Sequence, residues 1–146
     1  DAIVAADVLE HLYHPWQALL RLKTLLASGG QFYVSLPNVR NLRVLNALLE
    51  EGDWPYAGAG ILDITHIRFF TRKSALRMPT ETGYQVQEVR ANLDPQLQPM
   101  LAGRDLGQIR NVEQPHWGMK NLGREDVLEL FTLQWFVRCR LPQGMN

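Results

Sequence analysis

Two short runs hold most of the chemistry in this sequence. DVLEH (7–11) carries His11, and GILDITHIRFFT (60–71) carries His66. An imidazole titrates near neutral pH, so either histidine suits the task of taking a proton from a hydroxyl. Between the two runs, DWPY (53–56) offers Trp54 and Tyr56, whose rings can stack on a sugar or an aromatic ligand. Arg68 brings a guanidinium that suits a phosphate or carboxylate, although Asp63 is an equally good ion-pair partner.

These residues need elements to position them. DAIVAA (1–6) is an apolar, β-branched run readable as a buried strand. In the turn that follows, Asp7 and Glu10 have the spacing of a capping box. PWQALLRLKTLLASGG (15–30) places Pro15 at a helix start and a glycine pair after its end, with Leu19, Leu22, Leu25 and Leu26 at helical spacing. QFYVSLP (31–37) is the next strand, and 39–52 is a second amphipathic helix closed by Gly52. Thr71 caps a third helix over 71–83, which Pro79 is expected to break or bend. Residues 84–93 and 128–141 alternate and read as strands paired antiparallel, with Phe131, Leu133, Trp135, Val137 and Cys139 on one face. The run 94–123 is rich in Pro, Gly, Gln and Asn and too long for an ordinary connection, so an insertion or lid is expected over 94–127.

Strand, helix, strand with short connections and an apolar first strand predicts an α/β fold with a parallel sheet. In such sheets ligands gather beyond the carboxyl ends of the strands. The first strand delivers Asp7, Glu10 and His11 to that edge, and the second delivers Asn38 and the chain beyond it. The run 60–71 is therefore expected to cover the same crevice, pinned by Phe69 and Phe70, with His66 and Arg68 turned inward.

The 146 residues fit a single domain, and their net charge of zero gives no sign of a nucleic-acid or membrane partner. One cysteine, Cys139, excludes an internal disulfide framework and points to a cytoplasmic setting. No apolar run reaches the ~18 residues that span a bilayer. The chain opens on Asp1 and enters an apolar run at once, the mark expected of a piece of a longer protein.

The stretch DAIVAADVLEHLYHPWQALLRLKTLLASGGQFYVSLPN resembles the second half of a class I S-adenosylmethionine-dependent methyltransferase, and GDWPYAGAGILDITHIRFFT with LQWFVRCRL resembles a narrower branch of it. The resemblance implies a partial Rossmann-like, doubly wound sheet. It would hold strands four to seven of seven, with the last strand antiparallel. It also implies that Ala6, Asp7 and Val8 border the methionine part of S-adenosylmethionine, and that Asn38, Trp54, Tyr56 and Arg68 face the substrate. The glycine-rich loop of that family has no counterpart here, because GAG at 58–60 does not join a strand to a helix. S-adenosylmethionine binding by this chain alone is thus expected to be weak or absent. The implied reaction is methyl transfer to a hydroxyl of a small molecule or saccharide precursor, with His11 and His66 as candidate bases.

Plainer roles compete with each of these. Asp7 and Glu10 can serve as helix caps, and His11 can bond backbone in its turn. His14 before Pro15 reads as surface, while Trp117, Trp135, Phe69, Phe70 and Cys139 read as packing. As metal ligands, Asp7, Glu10, His11 and His66 are loosely spaced, and no metal is assigned. The whole chain can also be a catalytically silent module, packing through the edge of strand 1–6 against an N-terminal half or a second copy.

Overall fold

The computed structural model describes residues 1–142 of the span 1–146. Strands β1 (Ala2–Ala6), β2 (Gln31–Pro37), β3 (Gln85–Leu93) and β6 (Thr132–Arg140) form one mixed sheet in the order β1-β2-β6-β3. The β1–β2 pair is parallel, and β6 runs antiparallel to both its neighbours, β2 and β3. The sheet is therefore parallel except for its last strand, as the sequence implied.

Helices α1 (Pro15–Lys23) and α3 (Arg72–Glu81) supply the main core. Leu19, Ala75 and Met78 pack with Phe32, Val34, Leu36, Trp135, Val137 and Cys139 from the sheet. Burial pushes the Cys139 thiol up to about 12, so it acts as an apolar core group. The Tyr84 hydroxyl enters the same core and donates to the Leu19 carbonyl at 2.9 Å. The other sheet face bears Val4, Tyr33 and Phe136, each more than a third exposed.

Several boundaries depart from the sequence reading. Helix α1 ends at Lys23, where the Thr24 hydroxyl donates to the Arg21 carbonyl; Leu25 is left exposed and Leu26 packs on the core. The second helix, α2, is Leu42–Glu50, because the buried Asn41 caps it by accepting from the Arg43 amide. Thr71 does cap α3, with Ser74 completing a reciprocal capping box, but α3 runs past Pro79 to Glu81. The strand expected over 128–141 starts only at Thr132. Residues 124–131 form helix α5 (Arg124–Phe131), with Glu125 and Asp126 in its first turn and Val127, Leu130 and Phe131 on its buried face. Leu133 stays with the packed residues, but Phe131 belongs to the helix.

Residues 94–123 hold their own short elements: α4 (Gln98–Leu101), a turn of 3-10 helix at Leu106–Gln108, and a hairpin of β4 (Val112–Glu113) with β5 (Gly118–Met119). Leu97 and Leu122 join Leu42 and α5 in a second core. Asp94 anchors the segment. Its carboxylate accepts from Asn41 at 3.1 Å, from Arg43 at 3.1 Å and from the Gln96 amide at 2.9 Å.

Candidate active site

Beyond the carboxyl ends of β1 and β2 lies a hollow of about 310 Å³, lined by Asp7, Glu10, His11, Asp63, His66 and Gln134 among others. Asp7 ends β1 in a left-handed conformation, φ 51°, which an aspartate tolerates better than most residues. Its amide donates to the Ser35 hydroxyl at 3.0 Å, and its carboxylate accepts from Ser35 at 3.0 Å and from Gln134. The expected Asp7–Glu10 capping box is absent: Val8 takes the cap position of the 3-10 turn Leu9–His11, with no side-chain cap bond. Asp7 instead ties β1 to β2 and β6.

Within that turn Glu10 is fully buried, and neither carboxylate oxygen has a hydrogen-bond partner. Burial raises its pKa above the usual carboxylate range, and the Asp7 charge adds to the effect; the nearness of its own backbone amide, which makes no hydrogen bond of good geometry to the carboxylate, and of His66 and His11 opposes it. The Glu10 carbonyl accepts from the amides of Ile67 and Arg68, each at 3.0 Å, which clamps the run 60–71 over the turn.

The two imidazoles meet there. Their ring centroids are 4.7 Å apart, edge to face. His66 is 8% exposed, and its Nδ1 lies 3.0 Å from the Ile61 carbonyl. A carbonyl only accepts, so Nδ1 carries a proton, and Nε2 is the ring nitrogen turned toward Glu10. That Nε2 lies 3.9 Å from Glu10 Oε1. His11 Nδ1 sits 3.2 Å from the Thr65 carbonyl and 3.1 Å from the Thr65 hydroxyl. The same hydroxyl donates to Asp63 at 2.6 Å, so His11 is likewise protonated on Nδ1, with Nε2 free. Bonds from the Thr65 hydroxyl and amide hold Asp63 below its ordinary range.

The remaining candidates stand elsewhere. Asn38 is fully buried and its amide donates to the carbonyls of Glu129 at 2.7 Å and Thr132 at 2.9 Å. Its bonding capacity holds β6 to β2, a correction to its reading as a substrate contact. Trp54 packs edge-to-face on Phe69, with centroids 5.2 Å apart, in a small cluster with Val44, Ile61 and Leu62. Tyr56 is solvent-exposed. Arg68 neither turns inward nor pairs with Asp63; its Nη2 donates to the Tyr13 carbonyl at 2.6 Å. None of these four lines the hollow. Phe70 sits in the main core, as its role in pinning the run required. Ala6 and Val8 flank Asp7 at the strand tip and are open to solvent. Thr65 and Gln134 are not singled out by the sequence, and nothing in the spacing links residue 134 to residue 7. Glu10 is placed at this edge by the sequence, where it reads as a cap or a loosely spaced metal ligand.

Residues 1–89 match the methyltransferase domain family, and the chain belongs to it. No curated protein sequence matches. Solved structures share the fold. A methyltransferase of Thermotoga maritima, described as a possible histamine N-methyltransferase, superposes with TM-score 0.57 at 11% identity over 97% of this chain and 56% of its own. A putative methyltransferase of Bacillus halodurans gives 0.52 at 13% identity, over 97% of this chain and 64% of its own. The [4+2]-cyclase SpnF gives 0.53 at 14% identity, over 99% and 50%. The chain thus spans between half and two thirds of these relatives. The presence of a cyclase among them shows that this fold alone does not choose the reaction.

Proposed function

We propose that this chain is the acceptor-side part of an S-adenosylmethionine-dependent methyltransferase that methylates a hydroxyl of a small molecule or saccharide precursor. S-adenosylmethionine, when bound, supplies a methyl group already activated by a sulfonium. Ala6, Asp7 and Val8 would border its methionine part. The open strand tip and the left-handed Asp7, held by Ser35 and Gln134, suit that role. The observation that carries the reading is the pair of imidazoles at one hollow, both tied at Nδ1 and both offering Nε2. His11 and His66 are the groups that ready the acceptor oxygen by making its deprotonated form accessible. The wall formed by Ala59, Gly60, Ile61, Asp63 and His66 would keep that oxygen in place.

The test is methyl transfer by the complete gene product, with S-adenosylmethionine and a panel of hydroxylated small molecules and saccharides. His66→Ala should lower kcat by about 100-fold or more while leaving S-adenosylmethionine affinity within a few-fold. Unchanged turnover would remove His66 from the site. These 146 residues hold no glycine-rich strand-to-helix loop, so calorimetric titration of this chain alone should show no micromolar S-adenosylmethionine binding.

A second reading has its own observation. β1 is an edge strand and Val4 is 68% exposed. As an isolated module, the chain would pack through that edge against an N-terminal half or a second copy. Sedimentation of the 146 residues separates the cases: a Val4→Lys-sensitive dimer supports packing between copies, and a monomer at high concentration removes it.

A further inference from the structure

We propose that Glu10, His11 and His66 form a binding site for one divalent first-row transition-metal ion, with an open position for the acceptor oxygen. The inference deepens the proposed function, since His11 and His66 would then ready the acceptor oxygen as ligands of the ion and not by taking its proton themselves, and it rests on that reading only for the identity of that oxygen.

Buried carboxylates are normally paired, because an unpaired one loses its hydration without replacement. Glu10 is fully buried, yet both its oxygens lack a partner. The donor atoms of Glu10, His11 and His66 all lie within 4.8 Å of one another, and the His66 Nε2–Glu10 Oε1 separation is 3.9 Å. Ligands about 2.1 Å from a tetrahedral ion sit roughly 3.4 Å apart, so side-chain movements of about 1 Å close the set. Two imidazoles with one carboxylate are a donor set of catalytic zinc and non-haem iron sites, which leave a position free.

The surroundings agree. Metal-bound histidines usually donate their other ring N–H to a carbonyl or carboxylate. Here both Nδ1–H groups do so, His66 to Ile61 and His11 to Thr65, and Thr65 is held in turn by Asp63. Asp7 and Asp63 add two more carboxylates to the lining, and no lysine or arginine among the described residues lines it. A lining of carboxylates and imidazoles without a lysine or arginine favours a dication over an anion. A hydroxyl bound to such an ion loses its proton far more readily than in water. The proton leaves to solvent, and no oxidant or reductant is needed.

The experiment is titration of the chelator-treated 146-residue chain with cobalt(II) chloride, followed by visible ligand-field absorption and by calorimetry. One equivalent should bind with a micromolar or tighter dissociation constant. Glu10→Gln, a near-isosteric change, should weaken binding at least 100-fold. Thr65→Ala, which loosens only His11, should weaken it about 10-fold. Circular dichroism confirms that each variant is folded. No binding by the wild type, or equal binding by wild type and Glu10→Gln, would overturn the proposal. Cobalt binding by this chain, with the complete gene product failing to transfer methyl groups, would uphold this site and sink the reaction. Methyl transfer that persists in chelator, without cobalt binding, would do the reverse.

Discussion

Two regions of this molecule bury carboxylates, and they treat them oppositely. Where β6 meets α5 and the 94–123 segment, Asp94 and Glu129 are nearly inaccessible and fully engaged. Asp94 accepts from Asn41, Arg43 and Gln96; Glu129 accepts from Arg40 at 2.6 Å and from the Arg72 amide at 2.7 Å. At the strand tips Glu10 is just as buried, yet neither of its oxygens has a hydrogen-bond partner. The first region spends its acids on joining elements. The second carries an uncompensated cost, and such costs collect where a ligand is meant to supply the missing partner.

The comparison breaks most visibly at Asp94. Asp94→Ala removes the acceptor shared by the Arg43 guanidinium and the Gln96 amide and one of the two acceptors of the buried Asn41 amide, which keeps the Thr132 carbonyl, so it should cost about 2 kcal/mol in urea unfolding. A loss under 1 kcal/mol would show that the engaged acids do not hold the segment.

Glu10→Gln should act with the opposite sign. Burial raises the Glu10 pKa above 4.5, so the folded state holds this proton more tightly than the unfolded chain does. That contribution to stability is fully present below pH 4.5 and is lost as pH rises through the folded pKa. Near neutral pH without a cation, the variant should therefore be the more stable by about 1 kcal/mol. The advantage should vanish below pH 4.5 and reverse under saturating cobalt(II). Thermal unfolding across pH, with and without the ion, measures all three. A variant less stable than wild type at neutral pH without cation would mean that Glu10 has a partner after all.

The smallest effect belongs to Ser35→Ala, which removes the hydroxyl that both accepts from the Asp7 amide and donates to its carboxylate. It should cost about 0.5–1 kcal/mol, because the Gln134 contact to Asp7 remains. A loss as large as that of Asp94→Ala would place the turn at residue 7 among the joining regions.

Much of this was legible beforehand, in an instructive pattern. The four strands of the main sheet, the Thr71 cap and the meeting of His11 with His66 follow from period, punctuation and the rule of ligands at strand tips, while the single antiparallel strand was implied by the family resemblance. The errors arose where two patterns overlap. LELF at 128–131 alternates like a strand, but Glu125 and Asp126 open a helix whose spacing buries Val127, Leu130 and Phe131. Asp7 and Glu10 have cap spacing, but the left-handed turn at Asp7 sends one carboxylate to Ser35 and the other into the core. Asn38 sits at the right edge of the sheet, yet the arrival of β6 from 94 residues away claims its amide. Side-chain fate at long range is what local spacing does not encode.

The central claim is that the strand tips gather His11, His66 and Glu10 around one hollow. Its most direct test is a nuclear Overhauser measurement on the 146-residue chain with isotope-labelled histidine. Rings with centroids 4.7 Å apart predict a clear cross-peak between the ring protons of His11 and His66, abolished in His66→Gln. A well-folded chain without that cross-peak would contradict the account.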